Sequence, residues 1–129
     1  MLLRRYQPPD FDDVFYLQQI SYSKPCTESV LRAKLECPAW VAAGSVVLGC
    51  LITDGPEIWS LVVAPLHRHR GIGSLLLAEA EKYFAGQTLG LHVHVANPAA
   101  RLYKLRGYKT AETIKDFYGP SLDALRMYK

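Results

Sequence analysis

Residues 61–74 read Leu61-Val62-Val63-Ala64-Pro65-Leu66-His67-Arg68-His69-Arg70-Gly71-Ile72-Gly73-Ser74. An apolar strand runs out at Pro65, a basic loop follows, and Gly71 opens a helix. The first turn of a helix leaves backbone N–H groups without partners, with the positive end of the helix dipole behind them. Glycines let such a backbone approach a phosphate closely, and the arginines add charge, so the segment has the makings of an anion seat. It is not the nucleotide P-loop, because the Gly-Lys-Ser/Thr ending is missing. Nor is it the dinucleotide fingerprint, which needs a third glycine and a βαβ unit at the start of the domain. Taken alone, Gly-x-Gly fits equally well a tight turn that merely opens a helix.

Upstream, Leu2 to Tyr6 reads as a strand closed by Pro8-Pro9. Asp10 is placed to cap a helix that turns Phe11, Val14, Phe15 and Leu17 toward a core. Thr27 starts a second short helix that runs to about Leu35 and ends at Pro38. Ala39 to Ala43, a turn at Gly44-Ser45 and Val46 to Thr53 read as an apolar hairpin. The Asp54-Gly55 turn then leads into the strand Glu57 to Val63.

Downstream, Ile72, Leu75, Leu76, Glu79 and Tyr83 recur at spacings of three and four, an amphipathic helix over Gly71 to Phe84. Leu91, Val93 and Val95 alternate with His92 and His94, a half-buried strand. Asn97-Pro98 is an N-cap followed by proline at the first helical position, and that helix stops at Gly107. Tyr108 to Phe117 and Leu122 to Tyr128 make a last pair of strands. The order β-α-α-β-β-β-α-β-α-β-β predicts an α/β or α+β sheet with helices on its faces.

A chain of 129 residues has room for one compact domain, so residues 1–129 are expected to form one. Half of them are hydrophobic and 21% are charged, a globular balance that excludes disorder. The net charge of +3 argues for nucleic acid only if it is clustered, and the cluster His67 to Arg70 is confined to one loop. No apolar run approaches the roughly 20 residues that span a bilayer. Met1-Leu2-Leu3-Arg4-Arg5 has no apolar stretch of signal-peptide length behind it, so a cytoplasmic protein is expected. Cys26, Cys37 and Cys50 are odd in number, lack Cys-x-x-Cys spacing and read as free thiols.

A second cluster of residues follows the first: Asn97-Pro98-Ala99-Ala100-Arg101-Leu102-Tyr103-Lys104-Leu105-Arg106-Gly107-Tyr108. With it the sequence resembles the GCN5-related N-acetyltransferase (GNAT) superfamily. The first motif of that family is matched by Val63-Ala64-Pro65 and Arg68-His69-Arg70-Gly71-Ile72-Gly73. The second is matched by Asn97, Ala100, Tyr103 and Gly107-Tyr108. The resemblance implies a mixed, twisted sheet of about seven strands with four helices, splayed between the fourth and fifth strands. It implies acetyl-CoA as co-substrate, an amine as acceptor and no metal. Within the superfamily, Ser23 to Glu28 and Asp116 to Met127 resemble the loop and last hairpin of the ribosomal-protein alanine N-acetyltransferase type, which acetylates protein N-termini.

Carried over residue by residue, the resemblance implies that the Leu61, Val62 and Val63 backbone bonds the pantetheine arm as an added strand edge. The amides of His69, Arg70, Gly71, Ile72, Gly73 and Ser74 would cradle the pyrophosphate, with the Arg68 and Arg70 side chains nearby. Asn97 would reach the pantetheine from the other side, and Tyr103 would protonate the departing thiolate. A phenol of pKa ~10 is suited to that transfer. Plain packing for Tyr103 and a mere helix cap for Asn97 are the alternative readings.

The proton acceptor stays open. The N-terminal acetylating type carries a glutamate on the fifth strand where this chain has His92, and other branches use a carboxylate at the position of Glu57. A structural His92 and a solvated Glu57 are the competing readings, and a water chain to solvent is the third route. His92 and His94 share a face, but no third metal ligand is evident. Polyamines, aminoglycosides, amino acids and lysine side chains are rival acceptors to a peptide N-terminus. A non-catalytic acyl-CoA sensor is the rival of another class. A monomer and a homodimer are both compatible with the sequence.

Overall fold

The computed structural model describes residues 1–129. Seven strands form one sheet: β1 (Leu2–Arg5), β2 (Ala39–Ala43), β3 (Val47–Thr53), β4 (Glu57–Val63), β5 (Gly90–His94), β6 (Lys109–Ile114) and β7 (Ala124–Tyr128). Their spatial order is β1-β2-β3-β4-β5-β7-β6, with β4–β5 the one parallel pair. Four helices cover it: α1 (Phe11–Ser21), α2 (Glu28–Lys34), α3 (Ile72–Tyr83) and α4 (Ala99–Leu105). This is the mixed seven-stranded sheet with four helices that the sequence implied.

Alternation along the strands divides the core into two clusters, one on each face. Val41, Cys50, Ile52 and Val62 pack with Val14 and Leu17 of α1 and Leu31 of α2. Leu51, Ile58, Leu91, Val93 and Met127 pack with Ile72, Leu76, Leu77 and Ala80 of α3 and with Ala100 and Tyr103 of α4. No helix is long and apolar enough to cross a membrane.

Two irregularities in β4 shape the site. The register with β3 steps from Ile52↔Ser60 to Thr53↔Ile58, so Trp59 is an extra, bulged residue. Toward β5, pairing stops after Glu57↔Gly90 and Ile58↔Leu91. Beyond that point the two strands diverge, which is the expected splay.

The structure corrects several local readings. Asp10 does not cap α1 with its side chain; it ends a 3-10 turn over Pro8–Asp10. Its carboxylate instead takes the Arg4 guanidinium fork at 2.8 Å and the Gln7 N–H. Thr27 does cap α2, accepting from Val30 N–H. In α3, Leu77 and Ala80 are buried while Leu75 and Tyr83 are exposed, so the apolar stripe is rotated from the predicted one. The last strand pair is shorter than expected, because residues 115–123 form a turn with Asp116 and Ser121 at positive φ. Cys26, Cys37 and Cys50 are free.

Candidate active site

The segment after β4 builds the first half of the site. Ala64 N–H bonds Leu48 O, so by antiparallel alternation Leu61 and Val63 turn their backbone groups away from β3, into the splay. Of these, Val63 O accepts from Arg68 Nε at 3.0 Å. The remaining edge groups face the gap between β4 and β5 without a strand to pair with. In the loop, His69 and Gly71 adopt left-handed conformations with φ of 63° and 80°. From His69 to Ser74, six consecutive backbone N–H groups have no protein acceptor. Arg70 carries an exposed guanidinium beside them and joins no ion pair. A Cβ on Gly73 would lie 2.9 Å from Leu102 Cδ2, so glycine there lets α3 and α4 close together. The loop expected to seat an anion thus presents a row of free donors at the N-terminus of a three-turn helix.

The N-cap of α4 is Pro98 rather than Asn97; Asn97, just before it, accepts Ala99 N–H on Oδ1 at 2.9 Å, which leaves its side-chain nitrogen over. Tyr103 is 5% exposed, with its ring edge-on to Tyr108 at 5.7 Å. Tyr108 spends its hydroxyl on Glu81 at 3.0 Å, whereas no protein group bonds the Tyr103 hydroxyl. Burial drives the Tyr103 pKa well above the ordinary phenol value, and the neighbouring Tyr22 and Tyr118 push it the same way. Those two tyrosines come from the opposite face of the sheet. Tyr22 ends α1 and shares a hydrogen bond with Ser60 of β4 at 2.9 Å; Tyr118 lies in the β6–β7 turn. Both lie near enough to Tyr103 to raise its pKa.

The other half of the site is a cavity of about 310 Å³ lined by Asp54, Glu57, Ile58, Trp59, His92, Phe117 and Tyr118. Glu57 and His92, weighed above as rival proton acceptors, both face it. His92 stacks on Phe117 with ring centroids 4.6 Å apart and 7° between planes. Both residues also touch Arg126 of β7, which the sequence reading did not single out. Arg126 holds Glu57 in a two-pronged ion pair of 2.6 and 2.8 Å, and its Nη1 lies 3.3 Å from His92 Nδ1. Burial, then the Arg126 charge, holds the His92 pKa below the usual imidazole value, against the opposite pull of Glu57 and Glu112. His94 differs: its Nδ1 accepts Ala96 N–H at 2.9 Å, and its Nε2 is buried without a partner. No third metal ligand stands beside the two histidines.

Sequence reasoning missed Arg126, Trp59, Tyr22 and Asp54. Arg126 becomes visible only once the β5–β7 register sets it opposite His92, and Trp59 only once the bulge is known.

A family model described as an acetyltransferase (GNAT) domain matches residues 36–110. Among curated proteins, the cysteine-rich protein 2-binding protein of Mus musculus is 38% identical over 58 residues, which is 45% of this chain and 7% of that protein. The matched stretch is therefore a small part of that relative. Among solved structures, NAA60 of Arabidopsis thaliana in complex with a bisubstrate analogue superposes with a TM-score of 0.89 at 19% identity, covering 99% of this chain and 96% of that one. The ribosomal-protein-S18-alanine N-acetyltransferase of Escherichia coli gives 0.84 at 21% identity, covering 98% and 91%. At such identities the likeness establishes the shared fold.

Proposed function

The chain belongs to the GNAT acetyltransferase family, and on that premise we propose that it transfers an acetyl group from acetyl-CoA to the α-amine of a peptide or protein. The observation that carries the reading is the row of six unpartnered N–H groups from His69 to Ser74, which follows the open edge of β4. It supports a long ligand with an anionic head at α3 and an amide-bearing arm along Leu61 to Val63. Such a ligand would bring its thioester to the splay between β4 and β5. Solved relatives of this fold were crystallised with acetyl-CoA and with bisubstrate analogues, in agreement with that assignment.

The acceptor enters from the cavity on the α1/α2 face, between the Phe117–Tyr118 turn and β4. The α-amine must be neutral to attack; its pKa near ~8 leaves a sizeable fraction neutral at physiological pH. Its nitrogen bonds the acetyl carbon, the C–S bond breaks, and the electron pair departs on sulfur. Tyr103 supplies the proton that the thiolate needs, the nitrogen gives up one proton to solvent water, and the Tyr103 phenolate takes one back from solvent, so the transfer balances. Burial keeps the Tyr103 phenol protonated at physiological pH, so its proton is in place when charge develops on sulfur. Fixed geometry supplies much of the acceleration without a strong base. A cytoplasmic setting fits the free thiols.

Calorimetry with acetyl-CoA tests this reading. Micromolar binding that is largely lost with pantetheine analogues lacking the pyrophosphate supports it; no binding of intact acetyl-CoA by the folded protein rejects it.

A further inference from the structure

We infer that Arg126 is a positioning residue: it decides which ring nitrogen of His92 carries the proton, and so makes His92 a hydrogen-bond donor to the acceptor cavity rather than its proton acceptor. The kinetic half of this inference rests on the acetyltransferase reading above; the spectroscopic half does not.

Arg126 stands directly opposite His92 in the β5–β7 pairing, and both side chains rise on the cavity face. Its guanidinium then crosses β5 above Gly90 to reach Glu57 on β4. A Cβ at Gly90 would collide with both Glu57 Oε2 and Arg126 Nη2, so the crossing depends on glycine. Nε of the same guanidinium donates to Tyr128 Oη at 2.9 Å, which leaves Arg126 only 12% exposed and tied to three strands.

A guanidinium has donors and no acceptor. The His92 nitrogen that meets Arg126 Nη1, Nδ1, must therefore be the unprotonated one. In the neutral ring the proton is then on Nε2, which has no protein partner, and stacking on Phe117 fixes the plane in which that N–H points. Protonating Nδ1 would set an imidazolium against a guanidinium. The charged groups around the ring are Arg126 from β7, Glu57 from β4, Glu112 from β6 and Asp54 from the turn before β4; His94 is its titratable neighbour on β5. Burial and Arg126 prevail over the two glutamates, so His92 stays neutral to lower pH than a free imidazole. Glu57 is engaged at both oxygens by the Arg126 fork. The α-ammonium accordingly passes its proton to a cavity water and on to buffer. His92 Nε2–H holds that water in place by donating to its oxygen.

Nitrogen-15 NMR of the histidine rings in the full chain, assigned by the signals lost in His92→Gln, reads the tautomer and titration directly. The expected result is an Nε2–H tautomer for His92 and a titration midpoint below the ordinary ~6.5. Arg126→Met should give a mixed tautomer and raise the midpoint, whereas Arg126→Lys should keep it low through the retained charge. Glu57→Gln, which leaves Arg126 in place, should leave the tautomer unchanged. An Nδ1–H tautomer in the unmodified protein, or a midpoint indifferent to Arg126→Met, overturns the inference. Kinetics separates the two claims. With acceptors of different amine pKa, the acid limb of kcat/KM should move with the acceptor, and a limb that stays fixed should appear only in Arg126→Met. A fixed limb in the unmodified enzyme that vanishes in His92→Gln refutes the inference and leaves the acetyltransferase reading intact. The expected tautomer without turnover on any amine does the reverse.

Discussion

Gly90 lies directly across the parallel β4–β5 pair from Glu57, and its missing side chain is the space in which the Glu57 carboxylate meets Arg126. Gly90→Ala should therefore push those two flexible side-chain ends aside and break the ion pair, at a stability cost of about 1 kcal/mol, because the added Cβ meets no backbone atom. Gly44→Ala, whose added Cβ would meet nothing closer than 3.6 Å, should be near neutral. Urea denaturation of the two variants checks the contrast.

Tyr103→Phe removes a hydroxyl that no protein group bonds, so its structural cost should be small. In its proposed role as proton donor to sulfur, Tyr103 should contribute about 10²–10⁴ to kcat. Single-turnover rates should fall by that factor with acetyl-CoA affinity unchanged, and an unaltered rate would reduce Tyr103 to packing.

Gly71 adopts φ +80° with open space where a Cβ would stand. Gly71→Val should weaken acetyl-CoA binding by blocking backbone approach, on top of the strain of a left-handed β-branched residue. Gly55, also at positive φ with open space, sits in the turn before β4. Gly55→Val should cost comparable stability and leave acetyl-CoA affinity untouched. Paired melting and calorimetric data on both variants separate the two effects.

Tyr118 lines the cavity proposed for the acceptor and lies outside the His69–Ser74 loop. Tyr118→Ala should raise KM for a peptide acceptor more than KM for acetyl-CoA. Equal changes would mean that the β6–β7 turn supports the fold and not the acceptor.

The Arg4 fork, joined by the Gln7 N–H, holds the Asp10 carboxyl below the usual carboxylate range in spite of its burial. A depressed folded pKa means that the stabilisation is complete above the unfolded value of ~3.9 and is lost as pH falls through the folded one. The stability gap between the unmodified protein and Asp10→Asn should be widest above pH ~4 and close below it. A gap independent of pH would assign the effect to packing.

Most of the architecture was legible because local signals and tertiary demands agree. Asp54-Gly55, Asn97-Pro98 and Gly107 mark boundaries that the backbone obeys, and the 61–74 segment folds as strand, basic loop and helix. The rotated stripe on α3 was not legible, because Leu75, Leu77 and Tyr83 are all apolar enough for either face and packing against the sheet selects among them. Glu57 and His92 were found as separate residues. Their shared guanidinium was not, because Arg126 reaches them only through strand register and the gap over Gly90. The Trp59 bulge left no local sign either, since an extra residue in an apolar strand looks like any other.

Mixing the protein with acetyl-CoA and a pool of short peptides, then following thiol release while locating acetyl groups by mass spectrometry, tests the central claim most directly. The account predicts amine-dependent release of CoA, with the acetyl group on peptide α-amines in preference to lysine side chains or polyamines. A folded protein that binds acetyl-CoA yet releases no CoA with any amine would contradict it and identify the domain as a non-catalytic acyl-CoA sensor.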